Sequence, residues 1–115
     1  MISVVVPAHG RPVRLRWLLN ALEDQTLDRE DFEVLIAAEQ EDLLALTRRH
    51  PLGAHAVHAP GAGPAERRNA GWRAAAAPVV AFTDDDCRPP AQWLERLVDA
   101  VRAHPGAVVQ GPTRP

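Results

Sequence analysis

ISVVVPAHGRPVRLRWLLNAL, residues 2–22, carries two hydrophobic periods in succession. Ile2 to Val6 is a largely β-branched run closed by Pro7 and Gly10, a length that suits a buried strand better than a helix. From Pro12 to Leu22 the residues Leu15, Leu18, Leu19 and Leu22 fall at i, i+3, i+4 and i+7, one face of a helix, with Arg14 and Arg16 pointing elsewhere. A buried strand handed across a short turn to an amphipathic helix is the opening unit of a parallel α/β sheet.

The same alternation continues outward. Phe32 to Ala38 reads as a second strand after the charged loop Asp28 to Asp31, and Glu41 to His50 as a short helix stopped by Pro51. A third strand is expected over Ala54 to His58. The Gly/Pro turn Pro60 to Pro64 then opens a helix running to about Ala77, with Pro64 suited to its first position. Pro78 to Thr83 predicts a fourth strand. Pro90 opens a last helix striped by Leu94, Leu97, Val98 and Val101, and Ala107 to Gln110 would be a fifth strand. Short connections throughout predict a three-layer α/β domain with a mostly parallel sheet. The chain ends at Pro115 just after that strand and reads as if cut.

Composition narrows the chemistry. The 115 residues are the usual size of one domain, 46% hydrophobic and 24% charged, with a net charge of −2 that gives no pull toward nucleic acid. All 13 basic residues are arginine, which excludes a Walker-type phosphate loop, a pyridoxal-phosphate Schiff base and a receiver domain built on a lysine. The single cysteine, Cys87, excludes an intramolecular disulfide and multi-thiolate zinc sites, and points to a reducing, cytoplasmic setting. The apolar run Ala74 to Phe82 is far short of the roughly 20 residues that span a bilayer.

Ligands of open parallel sheets bind at the carboxyl ends of the strands. One glycine in Pro7-Ala8-His9-Gly10-Arg11 is too few for a dinucleotide fingerprint. Asp84-Asp85-Asp86 follows the fourth strand. In an extended segment Asp84 and Asp86 point to one side and Asp85 to the other, giving a hard oxygen site for Mg²⁺ or Mn²⁺. The competing reading is a solvated acidic turn capping the helix at Pro90. On the helix from Pro64, a period of about 100° per residue puts Ala65, Arg68, Asn69, Trp72 and Ala76 on the inward face and Arg67 and Arg73 away from it. An inward Arg68 needs an anionic partner, either a nearby carboxylate or a ligand phosphate. Glu39 faces the same rim and could accept from a base or ribose, or serve the following helix N-terminus. His9 could line the pocket. Cys87 sits in the negative field of the aspartates, which disfavours a nucleophilic thiolate. Trp17, Trp72 and Trp93 are read as packing for their helices.

The order of these features resembles glycosyltransferase family 2, the inverting enzymes of the GT-A fold. The residues that carry it are the strand into Pro7, the acid Glu39, Gly63-Pro64-Ala65-Glu66-Arg67-Arg68-Asn69-Ala70-Gly71, the strand into Asp84-Asp85-Asp86, and then Pro90 and Trp93-Leu94. The resemblance implies a Rossmann-like nucleotide-sugar-binding half over residues 1–115. Asp86 would be the direct metal ligand, with Asp84 beside it or toward the ribose and Asp85 in the donor site. Arg68 would lie near the base or diphosphate, Glu39 would read the base, and Pro7, Ala8 and His9 would wall its pocket. The metal would be Mg²⁺ or Mn²⁺, the donor a nucleotide-sugar and the acceptor unknown. Glu39-Gln40-Glu41 stands where the family usually has Asp-Gly-Ser, and Ala8-His9-Gly10 where it has a polar run, so no uridine preference is implied. The acceptor half and general base would lie beyond Pro115, leaving an exposed sheet edge able to drive self-association. Two other classes remain: a non-catalytic truncated or repurposed binding module, and a flavodoxin- or receiver-like regulator, which the absent lysine disfavours.

Overall fold

The computed structural model describes residues 1–61 and 63–103. Its strands are β1 (Ile2–Pro7), β2 (Phe32–Ala38), β3 (His55–His58) and β4 (Val79–Phe82). They alternate with helices α1 (Pro12–Glu23), α2 (Glu41–Arg49), α3 (Pro64–Ala74) and α4 (Trp93–Ala103). All strand pairings are parallel, in the order β3-β2-β1-β4. The expected fifth strand, Ala107 to Gln110, lies outside the described residues. Among the described residues no helix is long and apolar enough to cross a membrane.

β1 is paired on both edges and covered on both faces, so all six of its residues are buried. That is why it reads as a continuous apolar run rather than an alternating one. Ile2, Val4 and Val6 face one layer together with Phe32, Val34, Ile36 and Ala38, packed by Leu15, Leu18, Leu19 and Leu22 of α1, Leu43 and Leu44 of α2, and Trp93, Leu94 and Leu97 of α4. Each buried leucine contributes up to about 1.5–3 kcal/mol. The opposite face carries Val5 and Ala37 against α3. There Gly71 is needed for close approach, because a Cβ would fall 2.4 Å from Val5 Cγ1.

α4 begins at Trp93, three residues later than Pro90 predicts. Pro90 to Gln92 instead form a turn closed by the Trp93 N–H on the Pro90 carbonyl at 3.0 Å. Gln25, at the end of α1, fixes this turn: its amide donates to Pro90 O at 2.8 Å and its oxygen accepts from Leu94 N–H at 3.0 Å. At the amino-terminal edge of the sheet, Glu33 accepts from the Ser3 hydroxyl and from Ala76 N–H. Burial alone would raise the Glu33 pKa, but these bonds, His55 nearby and Ala77 N–H together hold it below its ordinary value. His55 and His58 are both exposed and form no ligand pair.

Candidate functional site

The chain winds outward from β1 through β2 to β3 and then returns to the other side of β1 as β4. Strand order therefore reverses between β1 and β4, and the loops leaving their carboxyl ends lie where open parallel sheets take their ligands. These loops contain Ala8 to Arg11 and Thr83 to Pro90.

Three hydrogen bonds set the first loop. His9 N–H donates to Asp85 Oδ2 at 3.0 Å, on the β4 side. On the β2 side, Gly10 N–H donates to Gln40 Oε1 at 2.8 Å, and Gln40 Nε2 returns a bond to the Gly10 carbonyl at 3.3 Å. Gly10 holds this position at φ 102°, a conformation that L side chains rarely adopt. Pro7 and Ala8 are buried in the floor, Ala8 donating to Ala37 O at 2.9 Å. His9 and Glu39 stand exposed, the latter just beyond β2. Gln40 is the residue that sequence reasoning passed over; its place directly after a strand end was the available signal.

The aspartates do not continue β4 as an extended segment. The strand ends at Phe82, and Cys87 N–H donates to Asp84 O at 3.1 Å, closing a turn over Asp85 and Asp86. The turn still presents Asp84 and Asp86 together. One carboxylate oxygen of each lies, with Cys87 Sγ, in a group whose atoms are all within 4.8 Å of one another. Asp84 and Asp86 are exposed while Cys87 is fully buried, so the sulfur closes the inner side of the group. Two carboxylates so placed fit a divalent ion that keeps water or phosphate on its open side. Asp85 is half-buried on its own path to His9. Desolvation, joined by the charges of Asp86 and Asp84, raises its pKa against the opposing effects of the His9 N–H and Arg14. Arg88 stacks its guanidinium 5.0 Å from the Trp17 ring, holding the next loop segment against α1. Trp17 is thus a rim residue, 51% exposed, rather than core.

On α3 the expected inward face is overturned. Arg67 and Gly71 are the buried residues, whereas Arg68, Asn69 and Trp72 are exposed. The reason is the Gly71 contact: a helix lying directly on Val5 and Ala37 must turn its smallest residue inward, and Arg67, one turn earlier, follows it. Trp72 then falls outside despite its bulk. α3 runs from the carboxyl rim of the sheet back toward the start of β4, so Arg67 lies in the rim-side half of the helix. Its Nε is buried without a hydrogen-bond partner, and among the described residues no carboxylate pairs with it.

The sheet, its switch point and the acidic turn define a parallel α/β domain with its candidate site at the carboxyl rim, and comparison with known proteins specifies it further. The sequence pattern of Glycosyl transferase family 2 matches residues 3–115, and the chain belongs to that family. It is 27% identical over 106 residues to glycosyltransferase AglE of Haloferax volcanii, a match covering 87% of this chain and 35% of that one. S. aureus TarS 1-349 shares the fold at a TM-score of 0.77 and 23% identity, over 90% of this chain and 32% of TarS. The Pyrobaculum calidifontis mannosyltransferase PcManGT, solved with GDP-Man and Mn²⁺, gives a TM-score of 0.73 at 26% identity, over 88% of this chain and 31% of that one. These solved structures are glycosyltransferases of the GT-A type, in accord with the expected fold. The chain spans about a third of the length of these relatives.

Proposed function

We propose that residues 1–115 form the nucleotide-sugar-binding half of an inverting glycosyltransferase, taking its donor at the rim of β1, β2 and β4. The observation that carries this reading is the convergence of Asp84 and Asp86 oxygens at the switch point, where two facing carboxylates suit Mg²⁺ or Mn²⁺. The solved relatives with UDP-GlcNAc and with GDP-Man and Mn²⁺ support the donor class and the ion. Bound there, the ion would supply charge stabilisation to the departing nucleoside diphosphate.

The chain's own residues would do the rest. Asp86 and Asp84 hold the ion, Asp84 toward the ribose. Asp85 keeps the first loop in place by accepting from His9 N–H. Pro7, Ala8 and His9 wall the base, and Glu39 accepts from its edge or from the ribose. Arg67 replaces Arg68 as the inner countercharge for the diphosphate, because it is the inward arginine of α3 and its buried Nε has no partner among the described residues. Arg68 remains available from the exposed side of the same turn. Inversion needs a general base opposite the leaving group. We assign that base, and the acceptor site, to sequence outside residues 1–115, and the setting to the cytoplasm.

Calorimetric titration of the chain with UDP, GDP, UDP-GlcNAc and GDP-Man tests the proposal. Binding should require Mn²⁺ or Mg²⁺ and disappear in Asp86→Ala. Nucleotide binding indifferent to metal and to that substitution, or no binding at all, favours a non-catalytic module.

A further inference from the structure

The outward face of α1 carries a pattern that neither the core nor the donor reading uses. With Leu15, Leu18, Leu19 and Leu22 turned inward, a period of about 100° per residue puts Val13 and Trp17 at the centre of the solvent side. These two apolar side chains are 42% and 51% exposed. Arg14 and Arg16 flank them on either side and Arg11 precedes the helix, all three standing exposed. Arg88 adds a fourth guanidinium, stacked 5.0 Å from the Trp17 ring.

This charge is not answered from within the chain. Residues 1–22 contain no acid, and among the described residues none of the four arginines forms an ion pair. Asp85 is close enough for Arg14 to oppose the rise in its pKa, but the two do not pair. The arrangement also runs against the helix dipole. The first turn of α1 holds no acid and its last turn no base, while Glu23 and Asp24 stand at the carboxyl end. Helix stability therefore gives no reason for the arginines, whereas an external anion does.

We propose that this face docks on the headgroups of an anionic lipid bilayer, with Trp17 and Val13 entering the interface and the four arginines meeting lipid phosphates. A nucleic acid or an acidic protein would engage the guanidiniums and leave the apolar centre of the face unused. A headgroup layer takes both, because an indole and an aliphatic side chain settle just below the phosphates that the arginines hold. The amino end of α1 follows directly on the loop Ala8 to Arg11, so docking sets the carboxyl rim of the sheet beside the bilayer. The proposal stands apart from the donor reading, which makes no use of Val13, Arg16 or Trp17.

Co-sedimentation of the intact chain with vesicles tests it. The chain should partition onto vesicles of phosphatidylglycerol and phosphatidylcholine, not onto phosphatidylcholine alone, and about 0.5 M NaCl should release it. Arg16→Gln should lower the partition coefficient roughly fivefold, the effect of one basic charge near such a surface. Tryptophan emission should shift to the blue on vesicle addition in the wild type and in Trp72→Phe, and stay fixed in Trp17→Phe. The wild-type response to lipid charge and salt needs no variant, so poor folding of a variant leaves the test intact. Absence of binding to the anionic vesicles overturns the proposal, as does a blue shift that survives Trp17→Phe. Binding to heparin without binding to vesicles also overturns it and gives the face to an acidic macromolecule.

Discussion

The His9 N–H and Asp85 Oδ2, 76 positions apart in sequence, meet at 3.0 Å and bind the loop after β1 to the turn after β4. The middle aspartate is thus a latch between two loops, while its neighbours on either side stand exposed. The latch carries a cost, because desolvation and the adjacent acids hold the Asp85 pKa above its ordinary value.

For an acid whose folded pKa is raised, the favourable contribution is complete below the unfolded pKa and is lost as pH climbs through the folded one. Asp85→Asn keeps an acceptor for His9 N–H and removes the charge. Thermal melts should show the variant more stable than wild type at pH 7 and no more stable near pH 3. A variant advantage that persists unchanged into acid contradicts the assignment.

Glu33 has the opposite sign. Its pKa is depressed, so its contribution is present above the ordinary carboxylate range and lost as pH falls through the depressed value. Glu33→Gln should unfold at lower denaturant than wild type at neutral pH, and the two curves should converge on acidification. Parallel pH profiles for the two proteins would count against this.

Arg67 and Arg68 are adjacent but inequivalent. Arg67→Met removes a guanidinium whose Nε is buried without a partner and should raise stability by about 1 kcal/mol. The same variant should weaken nucleoside diphosphate binding at least tenfold, since charge-assisted contacts of about 1.5–3 kcal/mol are lost. Arg68→Met should leave stability within about 0.5 kcal/mol of wild type. Tight diphosphate binding by Arg67→Met places the countercharge elsewhere.

Gln25 joins the end of α1 to Pro90 O and Leu94 N–H. Gln25→Ala leaves the buried Leu94 N–H unmatched, at a cost of about 1–3 kcal/mol. Chemical denaturation should show that loss with the slope unchanged. A variant as stable as wild type means that the α4 turn is held by other contacts.

The strand–helix alternation was legible because β1 is a short, largely β-branched run, β2 a short apolar one, and α1 shows four leucines at helical spacing. β2 falls on Phe32–Ala38 as expected, and the ends of the other elements either coincide with expectation or move by up to three residues. The acidic turn was legible as a cluster of like charges after an apolar strand. What the sequence concealed was the orientation of α3. That helix has no apolar stripe to set its phase, so the helical period alone pointed to the face of Arg68 and Trp72, whereas the close approach to Val5 selects Gly71 and brings Arg67 inward. The Gln40 clamp was equally hidden, since it depends on two loops far apart in the chain.

The parallel partner of Ile2 on one side is Val79, and the segment that bears the aspartates follows directly on the strand so paired. During synthesis β1 can join β2 early, but it has to wait for most of the chain to leave the ribosome before β4 arrives. Closing so long a loop is entropically slow. The carboxyl-rim site therefore cannot form when β1 and β2 first pair, and waits until β4 has been made.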